Sequence, residues 1–549
     1  MNSVGRLSLR ERRLCAAVLL VSRRRSVYNG NLLGTPTVER KPDATMPDYH
    51  ATYEKLCHHA RKTALLSTAG SILDWDENTK MPTSAGPYRA EQATLMAGLV
   101  HARATSPQVG EWLAELVGSP LATEPHGDTG TVIRELNRAY DRKTKLPQRL
   151  VEELTRTSSL GQQTWVKARK ENDFATFAPL LKRMMELKRE EADAVGYGEC
   201  RYDALLDEYE PHETSANVGR VLTALGEALT PLVEKINASS RKAPSEILAR
   251  DFPAAAQEQF GMGAARAIGF DFGAGRLDVT AHPFCTTLGP RDIRLTTRYS
   301  EHEFNAGLFS ILHEAGHGLY EQGLPAEEFG LPTGETISLG IHESQSRMWE
   351  NLVGRDRAFW DHLYKPAQDA FPQALADVSL DDFYFAINES KPSLIRVEAD
   401  EATYNLHILI RFELEKLLID DDLPVDDLPT AWNARYKKYL GIIPPNDAEG
   451  VMQDVHWSCG LVGYFPTYAL GNLYASQFFE QAQTDLGDLS AQFREGDFAP
   501  LLGWLRKNIH AHGQRFTATE LVQQVTGSPL SSEALLRHLS GKFGELYGF

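Results

Sequence analysis

Cysteine is scarce in this 549-residue chain. The five residues, Cys15, Cys57, Cys200, Cys285 and Cys459, are odd in number, far apart and never in a CxxC pair. That excludes a disulfide framework and a thiolate zinc site, and predicts reduced thiols packed as small hydrophobes in a reducing compartment. The apolar run near the start, residues 14–21, is eight residues long, against the ~20 needed to cross a bilayer. Positive charge is in the minority: 57 Lys+Arg against 74 Asp+Glu leave −17, which argues against a nucleic-acid or anionic-membrane binder. No Gly/Ser- or Pro-rich linker and no 20–50-residue repeat divides the chain. What is present is ordinary globular composition, 42% hydrophobic, 24% charged and 9% aromatic, long enough to bury a large core.

The first thirty residues differ from the rest. Arg6, Arg10, Arg12, Arg13, Arg23, Arg24 and Arg25 stand against one acid, Glu11. The leader therefore carries +6 and the remainder −23. No small-residue cleavage site follows the apolar run, which speaks against a secretory signal. An organellar transit peptide or upstream coding before Met46 both account for it. Residues 1–46 are set aside from the predicted fold, leaving 47–549 as one domain.

From Asp48 onward helical periodicity dominates. Tyr53, Leu56, Leu65, Leu66 and Ile72 can line one side of a first helix. Residues 180–196 space apolar side chains three and four apart, with Pro179 standing before them, and residues 218–236 repeat the pattern after Pro211. Residues 406–418 are apolar nearly all round, as in a helix inside a large fold. Residues 277–299 instead alternate polar and apolar around Leu-Gly-Pro, predicting a small antiparallel sheet. On a strand over 292–299, Asp292, Arg294, Thr296 and Arg298 share the polar face. The prediction is a mainly α, single catalytic fold with a deep groove and that small sheet beside its key helix.

The key segment is His313-Glu314-Ala315-Gly316-His317. With 17 histidines in the chain, HExxH is expected by chance only about 0.03 times. On a helix, positions i and i+4 lie about 40° apart, so both imidazoles can hold one metal ion. Glu314 projects ~100° away, where it can take a proton from water on that ion. Gly316 and Gly318 are poor helix formers and make sense where another element approaches closely. A third ligand must come from elsewhere. Glu343, in a helical-looking segment, is one candidate, with Glu335 and Glu350 beside it.

Further signatures follow in order: HPF at His282, Pro283 and Phe284; DxRxT at Asp292, Arg294 and Thr296; HESQ at His342 to Gln345; IRxxAD at Ile395 to Asp400; GxxQDxHW at Gly450 to Trp457; and GYFPTYALG at Gly463 to Gly471. Together with HExxH they resemble the M32 metallocarboxypeptidases, the carboxypeptidase Taq type, across nearly all of residues 48–549. The resemblance implies a helical, grooved homodimer that removes C-terminal residues one at a time. It assigns His313, His317 and Glu343 as metal ligands and Glu314 as general base. Zinc is the implied ion, with cobalt or manganese also suited to two histidines and a carboxylate. The implied partners are peptides with a free C-terminus, with no nucleic acid and no membrane, in the cytoplasm, or in an organelle if the leader is a transit peptide.

Chemistry then asks for two more groups. A donor must meet the developing oxyanion; Tyr468 is the first candidate, Tyr464 the second, with His456 in support. A guanidinium suits the substrate's α-carboxylate. Arg396 leads, on a predicted helix face shared with Asp400, Thr403 and His407, where an intrahelical ion pair is the plainer alternative. Arg294 and His282 are further candidates for a substrate-binding wall, while Gln453 and Asp454 read as supporting residues. His101, His362 and His407 carry no predicted role. Two competing functions remain at this stage: an endo-oligopeptidase or dipeptidyl carboxypeptidase on the same zinc helix, and a non-catalytic helical scaffold retaining the motif.

Overall fold

A computed structural model describes residues 48–549; the arginine-rich leader lies outside the described residues. Helices dominate, and one hydrophobic core runs from Trp165 to Tyr547. The opening helix, Tyr49–Thr79, starts where the Asp48 side chain accepts a hydrogen bond from the Ala51 amide, a standard N-cap. Its buried positions are only partly those predicted: Leu56 is buried and Tyr53 packs beside it. Leu65 and Ile72 are 60% and 47% exposed. The helix is too long for one partner: Leu56 joins Val109, Leu113 and Ile133, Cys57 meets Val132 and Leu331, and Trp75 packs on Phe284.

The helix predicted over 180–196 runs from Phe174 to Val195, with Pro179 inside it. Asp173 caps it by accepting from the Thr176 amide, so nucleation lies upstream and the proline costs one bond of the second turn. The next helix, Ser215–Ala238, is capped by Thr214. Tyr404–Ile419 is buried nearly all round, as its composition predicts. Its buried carboxylate, Glu415, is satisfied inside the core. Glu415 accepts from the Tyr202 hydroxyl, the Trp457 indole and the Gly463 amide.

The sheet corrects the predicted topology. Three strands, β1 (Gly275–Val279), β2 (Cys285–Thr287) and β3 (Ile293–Thr297), lie in the order β1-β3-β2. Only β2 and β3 are antiparallel; β1 runs parallel to β3. The cause is the arch of residues 280–284, which carries the chain over the C-terminal end of β3 and sets β2 on its far side. Thr280 N donates to Thr297 O and Thr296 N to Phe284 O, both at 2.9 Å, and the Thr296 hydroxyl pairs with both backbone groups of Phe284. Thr296 is therefore fully buried rather than on an open polar face.

Two glycines set the crossing of the helices that matter. The motif helix, Phe304–Gly323, meets the Leu339–Arg347 helix at Gly316, where a Cβ would stand 2.5 Å from the Gln345 carbonyl oxygen. On the opposite side, a Cβ at Gly471 of the Pro466–Leu486 helix would stand 2.5 Å from Glu343 Cγ. Glycine at both positions lets the middle helix lie between its neighbours at backbone contact.

Candidate metal centre

The crossing brings Glu343 against the two histidines. Its Oε2 lies 3.7 Å from His313 Nε2 and 3.5 Å from His317 Nε2. All three donor atoms fall within 4.8 Å of one another, the only such cluster among the described residues. The opposite ring nitrogens are occupied: His313 Nδ1 meets Glu350 Oε2 at 2.9 Å, and His317 Nδ1 meets the His342 carbonyl at 3.1 Å. Such partners fix the rings so that both Nε2 atoms face the same point. The donors fit a divalent ion that accepts nitrogen and oxygen ligands.

Glu343 is held from outside the cluster. Arg347 Nε donates to its Oε1 at 2.7 Å and Ser346 Oγ to its Oε2 at 3.0 Å. Burial works against the charge, yet Arg347 and the imidazoles keep this carboxyl well below its ordinary range. Glu314 is buried with no such cation of its own. Burial, reinforced by Glu343 and Glu350 and opposed by His313, pushes it up to about 7. His317 goes the other way, to about 3, through burial and the neighbouring His342. For His313, burial opposes protonation but Glu343 and Glu350 outweigh it, raising the ring to about 9. One imidazole is thus pre-set neutral, and the other is charged until something displaces its proton.

A groove of about 1010 Å³ opens over these residues. Of the residues singled out in the sequence, His282, Arg396, His456, Tyr464 and Tyr468 line it with His313, Glu314, His317 and Glu343. His456 Nε2 lies 3.4 Å from the Tyr468 hydroxyl, and the Tyr464 and Tyr468 rings stand 5.4 Å apart. Arg294 is not among the lining residues. It pairs with Asp292 at 2.9 Å and stacks 4.3 Å over Trp75 on the opening helix, because that indole covers this side of β3.

Arg396 does not stand on a helix with Asp400. It occupies a single 3₁₀ turn, Arg396–Glu398, and the helix starts only at Tyr404. Asp400 is consumed by its own turn, accepting from Ser390 Oγ, Ala402 N and Thr403 Oγ1. Arg396 instead donates to Asp454 at 2.9 Å and to the Tyr404 hydroxyl at 3.1 Å. Asp454 also pairs with Arg411 at 2.6 Å, and Gln453 accepts from the Arg396 amide.

Glu350 and Arg347 matter more here than their sequence signals indicated. Glu350 stands among the third-ligand candidates but holds His313 from behind. Arg347 lies one turn after Glu343, a spacing that could have flagged it. His101, His362 and His407 lie away from the groove.

The profile described as carboxypeptidase Taq (M32) metallopeptidase matches residues 55–543. Thermostable carboxypeptidase 1 of Thermus thermophilus is 47% identical over 508 residues, covering 91% of this chain and 99% of its own. Carboxypeptidase 1 of Bacillus subtilis is 38% identical over 90% of this chain and 99% of its own. The crystal structure of an M32 carboxypeptidase from Deinococcus radiodurans superposes with a TM-score of 0.88 at 39% identity, covering 91% of this chain and all of that one.

Proposed function

Since the chain belongs to the M32 family and is a metal-dependent carboxypeptidase, we propose that it hydrolyses single C-terminal residues from peptides with broad specificity, using one zinc ion held by His313, His317 and Glu343. The observation that carries this reading is the convergence of those three donors beside Glu314 in an open groove. When bound, the ion supplies a Lewis acid that polarises the scissile carbonyl and brings the pKa of water toward ~7.

Glu314 takes a proton from the attacking water and passes it to the leaving amine. Its upward-shifted carboxyl suits both transfers near neutral pH. Tyr468 donates to the developing oxyanion, with His456 supporting the hydroxyl. Tyr464 and His282 form walls against the substrate. Arg396 braces the wall that carries Tyr468, its guanidinium lying 5.0 Å from that ring. The family resemblance supports a homodimer. The four free cysteines among the described residues, Cys57, Cys200, Cys285 and Cys459, support a reducing, cytoplasmic setting.

The test is release from an N-blocked peptide, offered as free acid and as amide, before and after chelation. Stepwise loss of single residues from the acid alone, abolished by chelation and restored by zinc, is the expected result. Equal cleavage of the amide would mean an endopeptidase, and release in pairs a dipeptidyl carboxypeptidase.

A further inference from the structure

The groove contains five arginines, and four of them are engaged. Arg347 is tied to Glu343 and Glu350. Arg355 donates to Asn351 and to the Ile387 carbonyl and lies over Phe309. Arg396 is buried against Asp454, and Arg169 reaches the Ala448 carbonyl beside Trp165. Arg298 alone among them has no hydrogen bond, ion pair or ring contact with any described residue, and it is exposed to the groove. In a chain of net charge −17 with 74 acidic residues, a guanidinium left without an anion at an active-site wall is available to an anionic ligand.

Its backbone position is fixed. Arg298 is the first residue after β3, directly beside the 280–284 arch that Thr296 and Thr297 tie down from beneath. Thr280 anchors the same arch to the Asn78 carbonyl at 2.8 Å, and Phe284 packs on Trp75. His282, at the crown of the arch, lines the groove alongside Arg298. The arch and Arg298 together form a rigid polar wall. From there the chain passes directly into the motif helix, where Asn305, Ser310, His313 and Glu314 line the same groove. A guanidinium on a backbone tied down in this way is what an exopeptidase needs in order to recognise a terminal carboxylate.

We propose that Arg298, on the wall formed by the 280–284 arch, is the specificity residue that binds the substrate's free α-carboxylate, in place of the buried Arg396. The assignment rests on the carboxypeptidase reading above and names the residue that enforces it. Arg396 shares Asp454 with Arg411 and spends its Nε and one terminal nitrogen inside the protein. Arg298 has its whole donor fork available for a bidentate contact.

The test compares wild type, R298Q, R298K and R396K, each zinc-loaded and full-length, on an N-blocked peptide as free acid and as amide. R298Q is expected to raise KM for the acid about 30–100-fold with kcat changed far less. The preference for acid over amide should collapse toward unity. R298K should recover part of it, and added guanidinium ion should recover part in R298Q. Unchanged zinc content and thermal unfolding in R298Q are expected from its lack of partners. If R298Q keeps the wild-type preference, or loses kcat with KM intact, the assignment fails. Loss of preference in R396K alone would move the role to Arg396. If wild type itself cleaves acid and amide alike, the exopeptidase reading fails first and the assignment with it.

Discussion

At the scale of single residues, the groups proposed to hold the ion differ from those proposed to act on substrate, and substitutions should separate the same way. Glu314 makes no contact that the metal cluster depends on, so Glu314→Gln should retain stoichiometric zinc. Its kcat should fall about 10³-fold, the scale of a lost general base; parallel metal analysis and peptide hydrolysis read both. A variant that lost its zinc would show that Glu314 holds the ligand set together. Glu350 is the converse case. It holds His313 Nδ1 at 2.9 Å without facing the cluster, so Glu350→Gln should weaken zinc binding about 10–100-fold. Activity should return at saturating zinc. A chelator competition titration gives the affinity, and an unchanged one would mean that Arg347 and packing orient the ring unaided.

At the scale of elements, the motif helix and its glycines were legible because HExxH sets two imidazoles on one helical face and glycine within it marks where another element comes close. Glu343 could not be chosen over Glu335 and Glu350 by spacing, because the choice is made by the crossing at Gly316 and Gly471, which is tertiary. The sheet was legible as strands but not as pairing, since alternation gives each strand its faces and says nothing of which edge a neighbour takes. Arg396 was misplaced on a helix for a related reason: Asp400 folds a local turn that competes with helix, as short acidic side chains do. The exposed Leu65 and Ile72 show that helical periodicity identifies a helix better than it identifies the partner of each turn. The crossing can be tested directly. Gly316→Ala forces a methyl against the Gln345 carbonyl oxygen and Ser346 Cα, both under 3 Å away. It should destabilise the fold by about 1–3 kcal/mol and weaken zinc binding as Glu343 is pushed off the histidines. Thermal unfolding with and without zinc measures the two effects, and a variant with wild-type values for both would remove close contact as the reason for the glycine.

At the scale of the whole molecule, the buried titratable groups oppose one another, and pH can expose the balance. Burial pushes Glu210, Glu314 and Glu415 up to about 7 from 4.5. Such groups stabilise the fold fully below about 4.5, and that contribution is lost as pH rises through about 7. His317 and His510 are pushed down to about 3 from 6.5, and His407 well below its ordinary value, again by burial. They act with the opposite sign: their contribution is present above 6.5 and is lost as pH falls toward their folded values. Between about pH 4.5 and 6.5 three carboxyls release a proton on unfolding while three imidazoles take one up. The slopes offset, so the chelated protein should unfold at a nearly constant temperature across that window. Removing one carboxyl in the core, away from the metal, should tilt the profile. Glu415→Gln lowers stability overall by disturbing the donors from Tyr202, Trp457 and Gly463, but its unfolding temperature should now rise with pH from 4.5 to 6.5. The slope of the calorimetric profile, not its level, is the readout. A wild-type profile that already rises steeply would show that the imidazoles outweigh the carboxyls, and a Glu415→Gln profile parallel to wild type would show that Glu415 titrates in the folded protein much as it does in the unfolded chain.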